Sequence, residues 1–178
     1  MSPERGVSWD GRTGMMASMK FRQEITYDAP PAEVFAMLSD PAFREACCAA
    51  QGVISAEVEL EPSGSGFSLT IDQLQKTDDL PAFARTFAGD STRAIQYEVW
   101  EDSTGGTLRI EAPGKPSEVT GTITLRPEGS GSREIIELEL KIKVPLIGGK
   151  LEKLLAEQVT TGIEAEQRAG KAYLEGQR

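Results

Sequence analysis

Apolar and polar positions alternate from near the start of the chain. Phe21, Gln23, Ile25 and Tyr27 interleave with Arg22, Glu24 and Thr26, the period of two that marks a half-buried strand. Asp28-Ala29-Pro30-Pro31 stops that strand, and Pro31 suits the first turn of a helix because its missing N–H has no partner there anyway. Val34, Phe35 and Leu38 give this helix an apolar face. Asp40 and Pro41 then supply a second start signal, an N-cap followed by proline at the first helical position. Two short helices joined end to end are predicted.

A run of strands follows. Ile54, Ala56, Val58 and Leu60 alternate with Ser55, Glu57, Glu59 and Glu61, and Pro62-Ser63-Gly64-Ser65-Gly66 turns the chain into Phe67, Leu69 and Ile71. Leu80, Phe83 and Phe87 recur at helical spacing, so a short helix interrupts the sheet. Strands resume over 92–101, 107–112 and 117–125, divided by Ser103-Thr104-Gly105-Gly106 and Pro113-Gly114-Lys115-Pro116. The clearest strand is the last, where Ile136, Leu138, Leu140, Ile142 and Val144 alternate with Glu137, Glu139, Lys141 and Lys143. Connections this short imply antiparallel pairing.

The final segment changes period. Over 149–174, Leu151, Leu155, Val159 and Ile163 follow a four-residue step with Leu154 beside them, and at 1.5 Å per residue such a helix is ~38 Å long. Helices segregated from a meander of about six to seven strands make the class α+β. Residues 1–18 show no periodicity and read as a dispensable leader, which leaves one domain over 19–176. A chain of 178 residues suits one domain.

Composition narrows the function. The net charge of −9 disfavours a nucleic-acid partner, whose phosphates need clustered Lys and Arg. No apolar run approaches the ~18 residues that span a bilayer, and no signal-type stretch opens the chain, so a cytoplasmic protein is expected. The sequence has no histidine and no asparagine. Ser-His-Asp and Cys-His arrangements, histidine metal sites and N-glycosylation sequons are therefore excluded. Cys47 and Cys48 are adjacent, too close to bridge readily and too few for a zinc site. Gly148-Gly149-Lys150 lacks the upstream glycine and the following Ser or Thr of a phosphate loop. Neither a metal nor a nucleotide cofactor is implied. The stripe Glu57, Glu59, Glu61 reads as the outer face of a strand.

The opening F-R-Q-E-I-T-Y-D-A-P-P-A-E-V-F-A-M-L (21–38) and the closing K-V-P-L-I-G-G-K-L-E-K-L-L-A (143–156) resemble the SRPBCC superfamily. It includes START lipid-transfer domains, aromatase/cyclases and birch-pollen-allergen-like proteins, and the closing segment is similar to a bacterial branch of unknown function. The resemblance spans about residues 20–174 and implies a helix-grip fold, an antiparallel sheet wrapped around the long C-terminal helix. It carries over no catalytic residue.

In that fold the inner sheet face and the long helix enclose a cavity. The apolar alternates Leu69, Ile71, Leu108, Ile110, Ile123, Leu125, Leu138 and Leu140 are expected on its side, with Phe35, Phe83, Phe87, Leu155 and Val159 as further contacts. Gly162 and Gly170 each cost the helix about 1 kcal/mol relative to alanine, explained by close packing or, at Gly162, by room for a ligand. Strand 92–101 admits two readings. Alternation alone favours Tyr97 and Val99 facing inward. With Gln96, Glu98 and Trp100 inward instead, a polar-aromatic stripe lines the cavity and Glu98 becomes a general acid or base. The expected function is binding of a small apolar ligand: a lipid, isoprenoid or polyketide-like compound. One alternative is a cyclase- or hydrolase-type enzyme using Glu98, Asp72, Tyr97 or Tyr173. Another is an interaction module with a collapsed cavity.

Overall fold

The computed structural model describes residues 18–176, so the leader assigned to 1–18 lies, but for Ser18, outside the described residues. Its elements run β1 (Met19–Tyr27), α1 (Pro31–Leu38), α2 (Pro41–Gln51), β2 (Ser55–Ser63), β3 (Gly66–Lys76), α3 (Ala82–Ala88), β4 (Ser91–Asp102), β5 (Gly105–Glu111), β6 (Ser117–Glu128), β7 (Gly131–Ile142) and α4 (Gly148–Leu174). The seven strands form one antiparallel sheet in the order β1-β7-β6-β5-β4-β3-β2. β2 to β7 are a simple meander. β1 joins β7 at the far edge, so the α1–α2 segment must carry the chain across the whole sheet from one edge strand to the other.

Local chemistry fixes that crossing. Pro31 and Pro41 open the two helices, and the Asp40 carboxylate accepts from the Ala42 N–H at 3.0 Å, satisfying an otherwise orphaned donor. The second Asp40 oxygen accepts from the Tyr173 hydroxyl at 2.7 Å, while Phe43 meets the Tyr173 ring edge-on. The C-terminal end of α4 is thereby tied to the α1–α2 joint. Gly52 ends α2 in the left-handed conformation at φ 67°, a conformation a side chain would strain.

α4, about 40 Å long at 1.5 Å per residue, packs on α1, α2, β1 and β7. The structure is the helix-grip arrangement. β7 begins at Gly131, earlier than the alternation from Ile136 suggests, because Gly131 and Ser132 read as turn residues while they pair with Glu128 and Pro127. Val144 lies beyond the strand's end at Ile142. The early start matters: it brings Glu134, in phase with Ile136 and Leu138, onto the inner face.

The two unusual helix glycines separate by geometry. A Cβ on Gly170 would lie 2.7 Å from Tyr27 Cε1 and 3.2 Å from Met37 Cε, whereas one on Gly162 would meet only the Gln51 amide at 3.5 Å. Gly170→Ala should therefore cost about 1–3 kcal/mol through overpacking, and Gly162→Ala should stabilise by up to about 1 kcal/mol through helix propensity. Urea denaturation of the two variants checks this, and equal effects would contradict it.

Candidate functional site

Between the inner sheet face and α4 lies a cavity of about 160 Å³. Its apolar wall comes from residues of five strands, among them Ile71 on β3, Ala94 on β4, Leu108 and Ile110 on β5, and Ile123 on β6, with Leu138 on β7. Leu155, Val159, Gly162 and Ile163 of α4 form the opposite side. A second hollow of about 160 Å³ continues outward past Leu80, Phe87, Ile142, Leu151 and Leu154. Gln75, Thr92, Ser117 and Gln158 border both hollows, so they form the neck between an inner and an outer lobe.

The inner end of the cavity is charged. Arg44 of α2 and Glu98 of β4 are each only 2% exposed, yet each finds partners. Arg44 Nη2 donates to Glu98 Oε2 at 2.8 Å, Nη1 to Oε1 at 3.3 Å, and Nε to the Leu38 carbonyl at 2.7 Å. Glu98 also accepts from Gln96 Nε2 at 2.7 Å and Trp100 Nε1 at 2.8 Å. Both of its oxygens are committed. Glu166 of α4 stands 3.9 Å from Arg44 Nη1, and Glu134 of β7, 1% exposed, lines the same end.

One arginine thus faces three carboxyl groups. Burial drives the Glu134 carboxyl well above the ordinary glutamate range, the Glu166 charge adds to this, and Arg44 opposes it. Glu166 is pushed up to about 7 by burial, again against Arg44, with Glu98 adding to the rise. For Arg44, burial disfavours the charge, but Glu98, Glu166 and Glu134 together hold its pKa above the usual arginine value. The Tyr27 hydroxyl and the Cys47 thiol beside the cluster are raised as well, chiefly by burial. Among the described residues, Tyr27 Oη, Gln73 Oε1, Glu134 Oε2 and Glu166 Oε1 are buried without a hydrogen-bond partner. No group of three His, Cys, Asp or Glu side chains among the described residues is placed to hold a metal ion.

The sequence-predicted residues divide. Ile71, Glu98, Ile110, Ile123, Leu138, Leu155, Val159 and Gly162 all border the inner lobe. Phe35, Leu69 and Trp100 do not. Trp100 stacks on Phe67 at 5.6 Å between ring centroids and meets Phe35 edge-on at 5.9 Å; Leu69 is buried in the same core. Phe83 and Phe87 are 40% and 37% exposed, because the short α3 lies outside the grip; Phe87 borders the outer lobe only.

Strand β4 turns Gln96 and Glu98 inward and Tyr97 outward, against the reading that alternation favoured. Tyr97 lies under the Arg109 guanidinium, 4.3 Å from the ring centroid, and Val99 is 49% exposed. Glu98 goes inward because Arg44 is there to pair with it, and Gln96 follows on the same face and donates to Glu98. Asp72 is likewise on the outer face, bonded to Arg93, and Tyr173 belongs to the helix joint. Sequence reading missed Arg44, Gln73, Glu134 and Glu166. Two of them carried a signal: Glu134 shares the parity of Ile136, and Glu166 follows Val159 and Ile163 on the α4 stripe.

Folding raises both free carboxyls, so the native state keeps protons that the unfolded chain releases nearer pH 4.5. This contribution to stability is fully present below the ordinary glutamate range and is lost as pH rises through the folded values. Between about pH 5 and pH 8, stability measured by urea denaturation should fall by on the order of 2 kcal/mol. Glu166→Gln should flatten that slope. A wild-type stability that rises across this interval would contradict the assignment.

A relative from Mycobacterium tuberculosis (strain ATCC 25618 / H37Rv), itself an uncharacterised protein, is 28% identical over 102 residues, covering 54% of this chain and 59% of the relative. The chain therefore matches less than two thirds of that relative's length. The Zhui aromatase/cyclase from Streptomyces sp. R1128 superposes with a TM-score of 0.61 at 12% identity, over 89% of this chain and 94% of that one. Norcoclaurine synthase from Thalictrum flavum superposes with a TM-score of 0.59 at 13% identity, over 98% and 99%. Likeness at these identities establishes the helix-grip fold and nothing of the activity. The family model for "Protein of unknown function (DUF2505)" matches residues 22–174, and the chain belongs to that family.

Proposed function

We propose that this chain binds a small molecule with an apolar body in the cavity between the sheet and α4. The observation that carries the reading is the enclosed inner lobe, apolar along its strands and closed at one end by charged side chains. A cavity of roughly 150 Å³ lined by apolar residues accommodates a benzene ring, so the inner lobe suits one ring and the two lobes together about two. An isoprenoid or polyketide-like compound of that size fits better than a long-chain lipid.

A second reading rests on Glu166. A cavity carboxyl pushed up to about 7 exchanges its proton near neutral pH, as a general acid or base must. Glu98 does not fill that role, since Arg44, Gln96 and Trp100 occupy both of its oxygens. Aromatase/cyclase and norcoclaurine synthase structures share the fold, so this scaffold accommodates enzymes.

Gly162→Leu tests the binding reading, because it places a bulky side chain at the border of the inner lobe while favouring the helix. The variant should fold with an equal or higher melting temperature and bind naphthalene or a similar two-ring probe at least ~10-fold more weakly, a loss of about 1.4 kcal/mol. Undiminished binding would remove the lobe beside Gly162 from the site. Absence of any apolar-probe uptake by the wild type would overturn the binding reading.

A further inference from the structure

The charged end of the cavity shows what chemistry its occupant brings. Arg44 and Glu98 satisfy one another, and Gln96 and Trp100 complete Glu98. The unpartnered atoms of the cavity-lining residues at this end are carboxyl oxygens, Glu134 Oε2 and Glu166 Oε1, which are acceptors once ionised; the unpartnered Tyr27 hydroxyl stands behind them, outside the lining. Gln73 Oε1, two residues along β3 from the neck residue Gln75, is a third unpartnered acceptor on the same wall. Glu134 and Gln73 are 1% and 7% exposed, and a buried polar atom without a partner costs free energy that a bound donor recovers.

Charge points the same way. Among the described residues, Arg44 is the one cation within a cluster that holds Glu98, Glu134 and Glu166, and it is already bonded to Glu98 and Leu38. The other groups facing the cluster are the Tyr27 hydroxyl from β1 and the Cys47 thiol from α2, and neither carries positive charge. Among the described residues, an anionic ligand would meet two further carboxyls and no free cation. A cationic donor would replace the protons that those carboxyls otherwise retain.

We propose that the ligand is a small organic amine, bound as its ammonium between Glu134 and Glu166 with its apolar body along the β5–β6 and α4 walls. A hydroxyl or second N–H further along the molecule would meet Gln73 Oε1. This rests on the small-molecule binding reading and narrows it to a ligand class. Seating the ammonium requires one of the two carboxyls to ionise, the other accepting through its carbonyl oxygen, so complex formation below neutral pH releases a proton.

Isothermal titration calorimetry of the full chain with three compounds of similar size and different charge tests the idea: 2-phenylethylamine, 2-phenylethanol and 3-phenylpropionate. The amine should bind at least ~10-fold more tightly than the alcohol, with the carboxylate weakest, as charge-assisted hydrogen bonds in a desolvated site require. Its enthalpy near pH 6 should vary with buffer ionisation enthalpy in the sense of proton release. Glu134→Gln and Glu166→Gln should each abolish the amine's advantage while leaving the alcohol's affinity little changed. Equal affinity for amine and alcohol would overturn the amine inference and leave the cavity reading standing. Tightest binding of the carboxylate would overturn it in favour of Arg44 as the anchor. Binding of none of the three would remove both.

Discussion

Arg44 is taken out of water at the junction of α2 with the sheet, where an unpaired guanidinium would cost several kcal/mol. Its surroundings are arranged around that demand. Nε reaches back to the Leu38 carbonyl at the end of α1, and the two terminal nitrogens clasp Glu98 in the middle of β4. One side chain therefore joins the helix pair to the sheet across the space that α4 closes. The same contact explains why β4 presents Gln96 and Glu98 to the interior, and why Trp100 points inward to stack on Phe67 and donate to Glu98.

The cavity owes its character to an imbalance around that pair. Glu98 answers Arg44, while Glu134 and Glu166 are left in the same low-dielectric end without a cation of their own. Burial lifts both, Glu134 well above the ordinary glutamate range and Glu166 to about 7, with the Glu166 charge adding at Glu134 and the Glu98 charge at both. A well-packed apolar end would be the more stable solution on physical grounds. Polar groups with free acceptors stand there instead, at a cost in stability that packing alone does not explain. Beyond it, the aromatic cluster of Phe35, Phe67 and Trp100 seals the interior, and the neck at Gln75, Thr92 and Ser117 leads outward.

The fold was legible because its signals are local. Period-two alternation, Pro31 and Pro41, the Asp40 cap and the four-residue step of α4 each act within a few residues. The site was only partly legible. Apolar wall positions such as Ile71, Ile110, Ile123 and Val159 follow from parity and helix face. The orientation of β4 does not, because alternation weighs Tyr97 and Val99 as apolar and cannot see a buried arginine 54 residues away in sequence. Glu134 was hidden by a turn-like Gly-Ser-Gly-Ser run that is in part strand, and Arg44 by its place on a short helix next to the exposed Glu45. Long-range charge pairing decides both, and no local pattern encodes it.

The buried Arg44–Glu98 pair is the element that orients β4 and the cavity end. A double-mutant cycle measures it directly, with equilibrium denaturation of Arg44→Met, Glu98→Leu and the double variant near pH 6. The structure predicts that each single change costs about 3–5 kcal/mol, since each removes the bidentate partner of a buried charge, and that the double variant recovers much of that loss. A coupling energy below about 1 kcal/mol, the value of an exposed ion pair, would contradict it.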